Sequence, residues 1–195
     1  MSSGLTTAKF TLKILGIKGF NPITSESISW VNWITHFGPR TCTYCKDKNG
    51  KVYERSDPPD NIPVHDFCNC EIKSVESIQI GTATMDGKNG ADNWLYLCKS
   101  LPNNYVTKEV AKKKGWINVI GNLRKVMPGA TIGGNRYYDY SKKLPESPGR
   151  MWYEADINYT GGYRNGHRIL YSNDGLMFAT YDHYETFYES TQEVL

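Results

Sequence analysis

The side chains best able to do chemistry in this 195-residue chain fall into two groups. One lies toward the C-terminus: the carboxylate Glu154, the imidazole His183 and the cations Arg164, Arg168 and Lys108. The ordinary pKa values of a carboxylate and an imidazole straddle working pH, so Glu154 suits proton acceptance and His183 proton donation. Cations beside such a pair stabilise a crowded, negatively charged phosphoryl centre, and guanidinium forks match phosphate oxygens better than an ammonium does. The other group is Cys42-x2-Cys45-x19-His65-x2-Cys68-x-Cys70, five soft or borderline ligands where tetrahedral zinc takes four. Four of the five cysteines lie in that window, whereas a disulfide scaffold spreads them along the chain. A closed structural zinc site is expected, on Cys42, Cys45, His65 and either Cys68 or Cys70; disulfides and free thiols are the alternatives. Cys98, in Trp94-Leu-Tyr-Leu-Cys98, is read as a buried core thiol.

These residues need elements to position them. A helix is expected over Asp92–Ser100, stopped by Leu101-Pro102. Thr107 should cap a second helix over Lys108–Lys114 that Gly115 terminates, its Lys112–Lys114 end solvated, and a third should span Leu123–Val126. From residue 150 the pattern alternates. Met151, Tyr153, Ala155 and Ile157 oppose Trp152, Glu154 and Asp156, as in a strand with one packed face and Glu154 on the open one. Asn165-Gly166 and Asp174-Gly175 are turn signals, the second joining strands Arg168–Ser172 and Leu176–Tyr181 in a hairpin. Trp116, Trp152, Ile157, Ile169 and Leu170 are expected in the core. Helices followed by antiparallel strands give an α+β domain.

Upstream, Ile28, Val31, Trp33 and Ile34 suggest a helix over Ser27–Phe37. A loop-rich stretch with Pro39, Pro58, Pro59 and Pro63 follows, and it needs a staple to hold a shape. The small and polar run Gly81–Gly90 reads as a linker, dividing the chain into an N-terminal module over 1–85 and a domain over 86–195.

Bulk composition narrows less. Twenty-three basic against 20 acidic side chains, a formal +3, are too mild a balance to demand a nucleic-acid partner. A hydrophobic content of 39% and 14 tyrosines suit an ordered, strand-rich protein. No apolar run approaches the length of a membrane span. The short stretch Ile14-Leu-Gly-Ile17 is followed by no small-residue cleavage site, so no signal peptide is expected.

The run from Met151 through Glu154-Ala-Asp-Ile-Asn-Tyr-Thr-Gly-Gly-Tyr-Arg164 to Ser172, with Tyr181-Asp-His-Tyr-Glu-Thr-Phe187, resembles the barnase-like bacterial ribonucleases. Leu101-Pro-Asn-Asn-Tyr-Val-Thr-Lys108, Gly121-Asn-Leu123, Pro128-Gly129 and Ile132-Gly-Gly134 extend the resemblance over about residues 90–190. It implies the microbial ribonuclease fold, with N-terminal helices on a C-terminal antiparallel sheet. It implies single-stranded RNA as substrate and a metal-independent transesterification through the 2′-hydroxyl that leaves a 2′,3′-cyclic phosphate. Glu154 would be the base, His183 the acid with Tyr184 beside it, and Arg164, Arg168 and Lys108 the phosphate cations. DNA, lacking the hydroxyl, should survive uncut. An acidic, barstar-like immunity protein is the implied partner.

One loop departs from the family. Where relatives carry an Asn-Arg-Glu stretch that grips guanine, this chain has Asp139, Tyr140 and Ser141, and Asn135 replaces a buried Asp. Base contacts are expected from Asn135, Tyr137, Tyr138, Asp139 and Tyr140, with weaker guanine preference because the tyrosines can stack on any base.

The segment Gly38-Pro-Arg-Thr-Cys-Thr-Tyr-Cys45 through Pro58-Pro59 to His65-Asp-Phe-Cys-Asn-Cys70 resembles the cysteine-rich end of phage head-morphogenesis (minor head) proteins. In prophage-derived polymorphic toxins such a segment precedes a C-terminal toxin domain, which implies a toxin delivered to act in a target-cell cytoplasm. Three rivals remain: a non-catalytic capsid-associated binding protein with a degenerate nuclease-like half, a secreted scavenging ribonuclease, and a zinc-finger DNA binder. The last lacks a basic recognition helix.

Overall fold

The computed structural model describes residues 30–192; Ile14–Ile17 and the start of the helix expected at Ser27 lie outside them. The first element among the described residues is a strand, β1 (Trp30–Thr35), where a helix was expected. The segment is almost entirely aromatic and β-branched, and Val31, Trp33 and Thr35 are buried at alternate positions while Trp30 is buried on the other face. That period of two outweighs the helical spacing of Val31 and Ile34. β1 is the middle strand of a three-stranded antiparallel sheet, between β2 (Val52–Glu54) and β3 (Cys70–Ser74). The helix α1 (Thr43–Lys48) links β1 to β2.

A seven-stranded sheet follows. Its strands are β4 (Ser77–Gln79), β5 (Tyr105–Val106), β6 (Thr131–Tyr137), β7 (Trp152–Asp156), β8 (Arg168–Ser172), β9 (Met177–Thr180) and β10 (Tyr188–Thr191). They lie in the order β4-β10-β9-β8-β7-β6-β5, antiparallel except where the edge strands β4 and β5 pair in parallel. The expected hairpin is present as β8–β9, with Gly175 at φ 100° in its turn. The helices α2 (Ala91–Cys98), α3 (Lys108–Lys113) and α4 (Leu123–Val126) fall where capping and periodicity place them. The result is a mixed α+β architecture, with Trp116, Trp152, Ile157, Ile169 and Leu170 all in its core. Among the described residues no helix is long and apolar enough to cross a membrane.

Two expectations fail on burial. Cys98 is exposed, because α2 buries Ala91, Asp92 and Leu95 and ends at Cys98, where Lys99 turns left-handed. β7 has no open face: Trp152, Glu154 and Asp156 are all buried, and Tyr153 is the less covered residue. The cover comes partly from the N-terminal module. Trp30, Val52 and Val75 join Leu144, Trp152, Leu170, Leu176, Phe178 and Phe187 in one cluster, and Trp30 meets Phe178 edge-on at 6.1 Å. Burying each such side chain contributes about 1.5–3 kcal/mol, so the small sheet is docked rather than tethered. The Gly81–Gly90 run is likewise no loose tether. The amides of Gly81 and Ala83 donate to Asp92 Oδ2 at 2.6 and 3.1 Å, and that of Met85 to Asn158 Oδ1 at 2.8 Å.

Candidate active site

Glu154 and Asp156 sit two residues apart on β7 and therefore project from the same face. Glu154 is 5% exposed. Lys108 forms an ion pair with its Oε1, and the Tyr184 hydroxyl donates to Oε2 at 2.6 Å. Burial alone raises a carboxyl pKa. Here the hydrogen bonds from Lys108 and Tyr184, with the charges of Lys108 and Arg164, outweigh it and hold Glu154 below the usual carboxylate value. Lys108 stands in the first turn of α3, capped by Thr107, and its backbone amide donates to Asn135 Oδ1 at 2.9 Å.

Asp156, to which the residue pattern alone assigns no role, organises the cations. It accepts from Arg164 Nε and Nη2 at 2.6 Å each, and its Oδ1 lies 3.1 Å from Arg168 Nε. Arg168 pairs across the strands with Asp156, and the two residues are 2% and 1% exposed. Burial disfavours the Arg164 cation, but the Asp156 carboxylate more than compensates and raises its pKa. A signal for Asp156 was available: an acid on the same strand face as Glu154, upstream of two arginines, needs a cationic partner once buried.

His183 is exposed, on a turn held from several sides. His183 and Tyr184 both have left-handed backbones, φ 58° and 69°, which cost energy for non-glycine residues unless their surroundings enforce them. Asp182 Oδ1 accepts from Thr180 Oγ1 and from the amides of Glu185 and Thr186, at 3.0–3.1 Å. The His183 amide donates to Gly166 O at 3.2 Å, and a Cβ on Gly166 would stand 2.8 Å from the imidazole Nδ1. His183, Arg164 and Arg168 line one cleft of about 410 Å³ with Asn118, Val119 and Tyr163. Glu154 adjoins them through Tyr184 and the charge of Arg164. A buried carboxylate thus stands beside a cleft lined by an imidazole and two guanidinium groups.

Beyond Asn135, the end of β6 and the loop after it place three tyrosines in two stacks. Tyr137 lies on Tyr184 at 5.1 Å, and the exposed Tyr138 and Tyr140 stack at 5.9 Å. The Asp139 carboxylate turns inward, accepting from the amides of Lys143 and Leu144 at 3.1 and 2.8 Å, and burial raises its pKa despite those bonds.

The cysteine cluster gathers around α1 and the start of β3. Cys42 is the N-cap of α1, Cys45 is in its first turn, Cys68 lies just before β3 and Cys70 is its first residue. Cys45, 2% exposed, is the hub. Its Sγ is 3.2 Å from His65 Nε2 and 4.0 Å from Cys68 Sγ, and His65 Nε2 is also 3.2 Å from Cys42 Sγ. Cys42, Cys45 and His65 form one ligand set and Cys45, Cys68 and Cys70 a second, each within 4.8 Å. His65 Nδ1 sits 2.8 Å from Asp66 O, the kind of outer contact that aims the other ring nitrogen at a metal. All five cysteines are free thiols.

Against known proteins, the model of the family described as ribonuclease matches residues 91–191. The chain is 45% identical over 105 residues to a ribonuclease of Heyndrickxia coagulans, an overlap of 54% of this chain and 96% of that protein. Ribonucleases of Bacillus intermedius and Bacillus pumilus are also 45% identical over 105 residues, and the chain spans 65% of their length. The match begins at α2 and ends in β10, enclosing Glu154, His183, both arginines and Lys108. The chain therefore belongs to the ribonuclease family.

Proposed function

We propose that the protein is an endoribonuclease that cleaves single-stranded RNA by attack of a 2′-hydroxyl on the adjacent phosphate. The supporting observation is the ionised, buried Glu154, bonded to Lys108 and Tyr184 and set beside a cleft that Arg164, Arg168 and His183 line. Glu154 takes the 2′-hydroxyl proton, and the new P–O bond forms as the 5′-oxygen leaves with a proton from His183. The products are a 2′,3′-cyclic phosphate and a 5′-hydroxyl. Lys108 and the two guanidinium groups that Asp156 aims stabilise the phosphorane charge. The substrate supplies the nucleophile, so no metal takes part in the chemistry.

The cysteine module holds one structural zinc on Cys42, Cys45, His65 and either Cys68 or Cys70. The S···N and S···S separations of 3.2 and 4.0 Å around Cys45 suit ligands sharing one ion with bonds of about 2.0–2.3 Å. A toxin role follows from this module, with its resemblance to phage head proteins, standing before the nuclease. Such a toxin is delivered into a target-cell cytoplasm, and its producer needs an acidic, barstar-like immunity protein to plug the cationic cleft.

Incubating purified protein with labelled single-stranded RNA and EDTA, beside Glu154→Ala and His183→Ala, tests the chemistry on a denaturing gel. Cleavage by the unaltered protein alone is expected. Folded protein that leaves RNA intact would favour the non-catalytic binding protein.

A further inference from the structure

We propose that Lys143 is a positioning residue for this reaction, a strut between the cysteine-rich module and the turn that presents His183 and Tyr184. The inference rests on the ribonuclease reading above and adds a residue outside the acid–base and phosphate-binding groups. Lys143 is anchored at three points. Its carbonyl accepts from the amide of Val52, the first residue of β2, at 2.7 Å. Its amide donates to Asp139 Oδ1 at 3.1 Å, closing the tyrosine loop. Its Nζ donates to the Tyr184 carbonyl at 3.0 Å and pairs with Glu185 Oε2 at 2.8 Å.

An ordinary surface lysine would be solvated, whereas this side chain is 18% exposed. Its stem runs past Gly50 of the module, where an added Cβ would lie 3.6 Å from Lys143 Cε. The module thus holds the lysine from behind, by backbone at Val52 and by contact at Gly50, while the ammonium holds the turn in front. Asp182 gathers the amides of that turn, and Lys143 holds its Tyr184 carbonyl. The two left-handed residues are thereby fixed from both sides. The Glu185 partner is 75% exposed and contributes little in water, so the carbonyl bond is the contact that matters. Releasing it lets His183 and the Tyr184 hydroxyl drift from working geometry, which slows the chemical step more than it weakens binding.

The full chain tests this through steady-state cleavage of a single-stranded oligoribonucleotide by the unaltered protein, Lys143→Met, Lys143→Arg and Glu185→Gln, each assayed below its melting temperature. Lys143→Met should lower kcat roughly tenfold with KM within about twofold. Lys143→Arg, whose fork reaches the same carbonyl, should recover most of the loss, and Glu185→Gln should match the unaltered protein. A Lys143→Met enzyme with unchanged kcat, or with only a raised KM, overturns the strut. So does an Arg variant no better than Met. Should the Met variant not fold, Lys143→Gln replaces it with the same expected outcome. If the unaltered protein leaves RNA intact, the ribonuclease reading fails instead. Amide chemical shifts of residues 182–186, expected to move in Lys143→Met and not in Glu185→Gln, then still decide whether Lys143 holds the turn.

Discussion

The Tyr184 hydroxyl donates to Glu154 Oε2 at 2.6 Å, which ties the base of the proposed reaction to the residue next to its acid. Burial works against the Glu154 anion, and Tyr184 and Lys108 overturn it. Glu154 should therefore stay ionised to a pH below the ordinary glutamate value of about 4.3. The acidic limb of kcat/KM is expected to lie lower than for an unassisted glutamate. Tyr184→Phe removes one donor to the anion, so that limb should move to higher pH. Profiles of the two proteins that superimpose on the acid side would disprove the coupling.

Asp156 is the second buried acid of the same strand face, and its contribution is electrostatic order. Replacing it with Asn leaves Arg168, 2% exposed, beside a neutral amide. Breaking a buried pair by removing one partner costs about 3–5 kcal/mol, because the orphaned charge stays buried. Asp156→Asn should lower stability on that scale in urea melts. It should also cut cleavage below its folded fraction, since Arg164 loses both of its 2.6 Å bonds to the carboxylate. Full activity per folded molecule would mean the arginines aim themselves.

How much of this was legible in the residues follows physical range. Local signals worked where local forces decide: Thr107 as a cap, Leu123–Val126 before Pro128, and the Asp174-Gly175 turn. The types of Glu154, His183, Arg164, Arg168 and Lys108 suggested a chemistry without showing that Asp156 orders two of them. That fact depends on register across β7 and β8. The burial of Glu154 was hidden for the same reason, because its cover comes from Lys108 and Tyr184, far away in the chain. Trp30–Thr35 misled because Val31 and Ile34 fit a helical face as well as a strand, and only pairing with β2 and β3 decides between them.

The cysteine module should lose its metal and its stability together. Cys45 is the ligand shared by both sets and is nearly fully buried. Elemental analysis of protein purified without chelator is expected to find one zinc per chain. Cys45→Ser should abolish it and lower the melting temperature by several degrees or more, because binding energy at a structural site is folding energy. Metal-free protein that melts where the purified protein does would reduce the cluster to free thiols.

Glu189 makes the junction between the modules sensitive to pH. Burial pushes its carboxyl up to about 7, against the pull of the Trp30 indole N–H, which donates to Oε1 at 3.2 Å. The unfolded chain releases this proton near pH 4.3, so between about 4.3 and 7 the folded state holds more protons. Stability contributed by this group is therefore lost as pH rises through that window. Glu189→Gln keeps an acceptor for Trp30 and removes the titration. Its melting temperature should exceed that of the unaltered protein at pH 8 and match it near pH 4. A constant difference at both values would point to packing rather than charge.

Base preference depends on where the loop's polar groups are spent. Both Asp139 oxygens accept backbone amides of their own loop, so this carboxylate is turned away from a bound base edge. Tyr138 and Tyr140 instead offer exposed ring faces, and stacking of about 1–3 kcal/mol per base tolerates any base. Cleavage of matched GpN and ApN dinucleotides should thus differ by no more than roughly tenfold, because ring stacking leaves no unpaired polar group to penalise the wrong base. Tyr138→Ala and Tyr140→Ala should weaken KM for both substrates alike. A large guanine bias, kept in those variants, would assign recognition to the loop backbone and leave the tyrosine stack as surface.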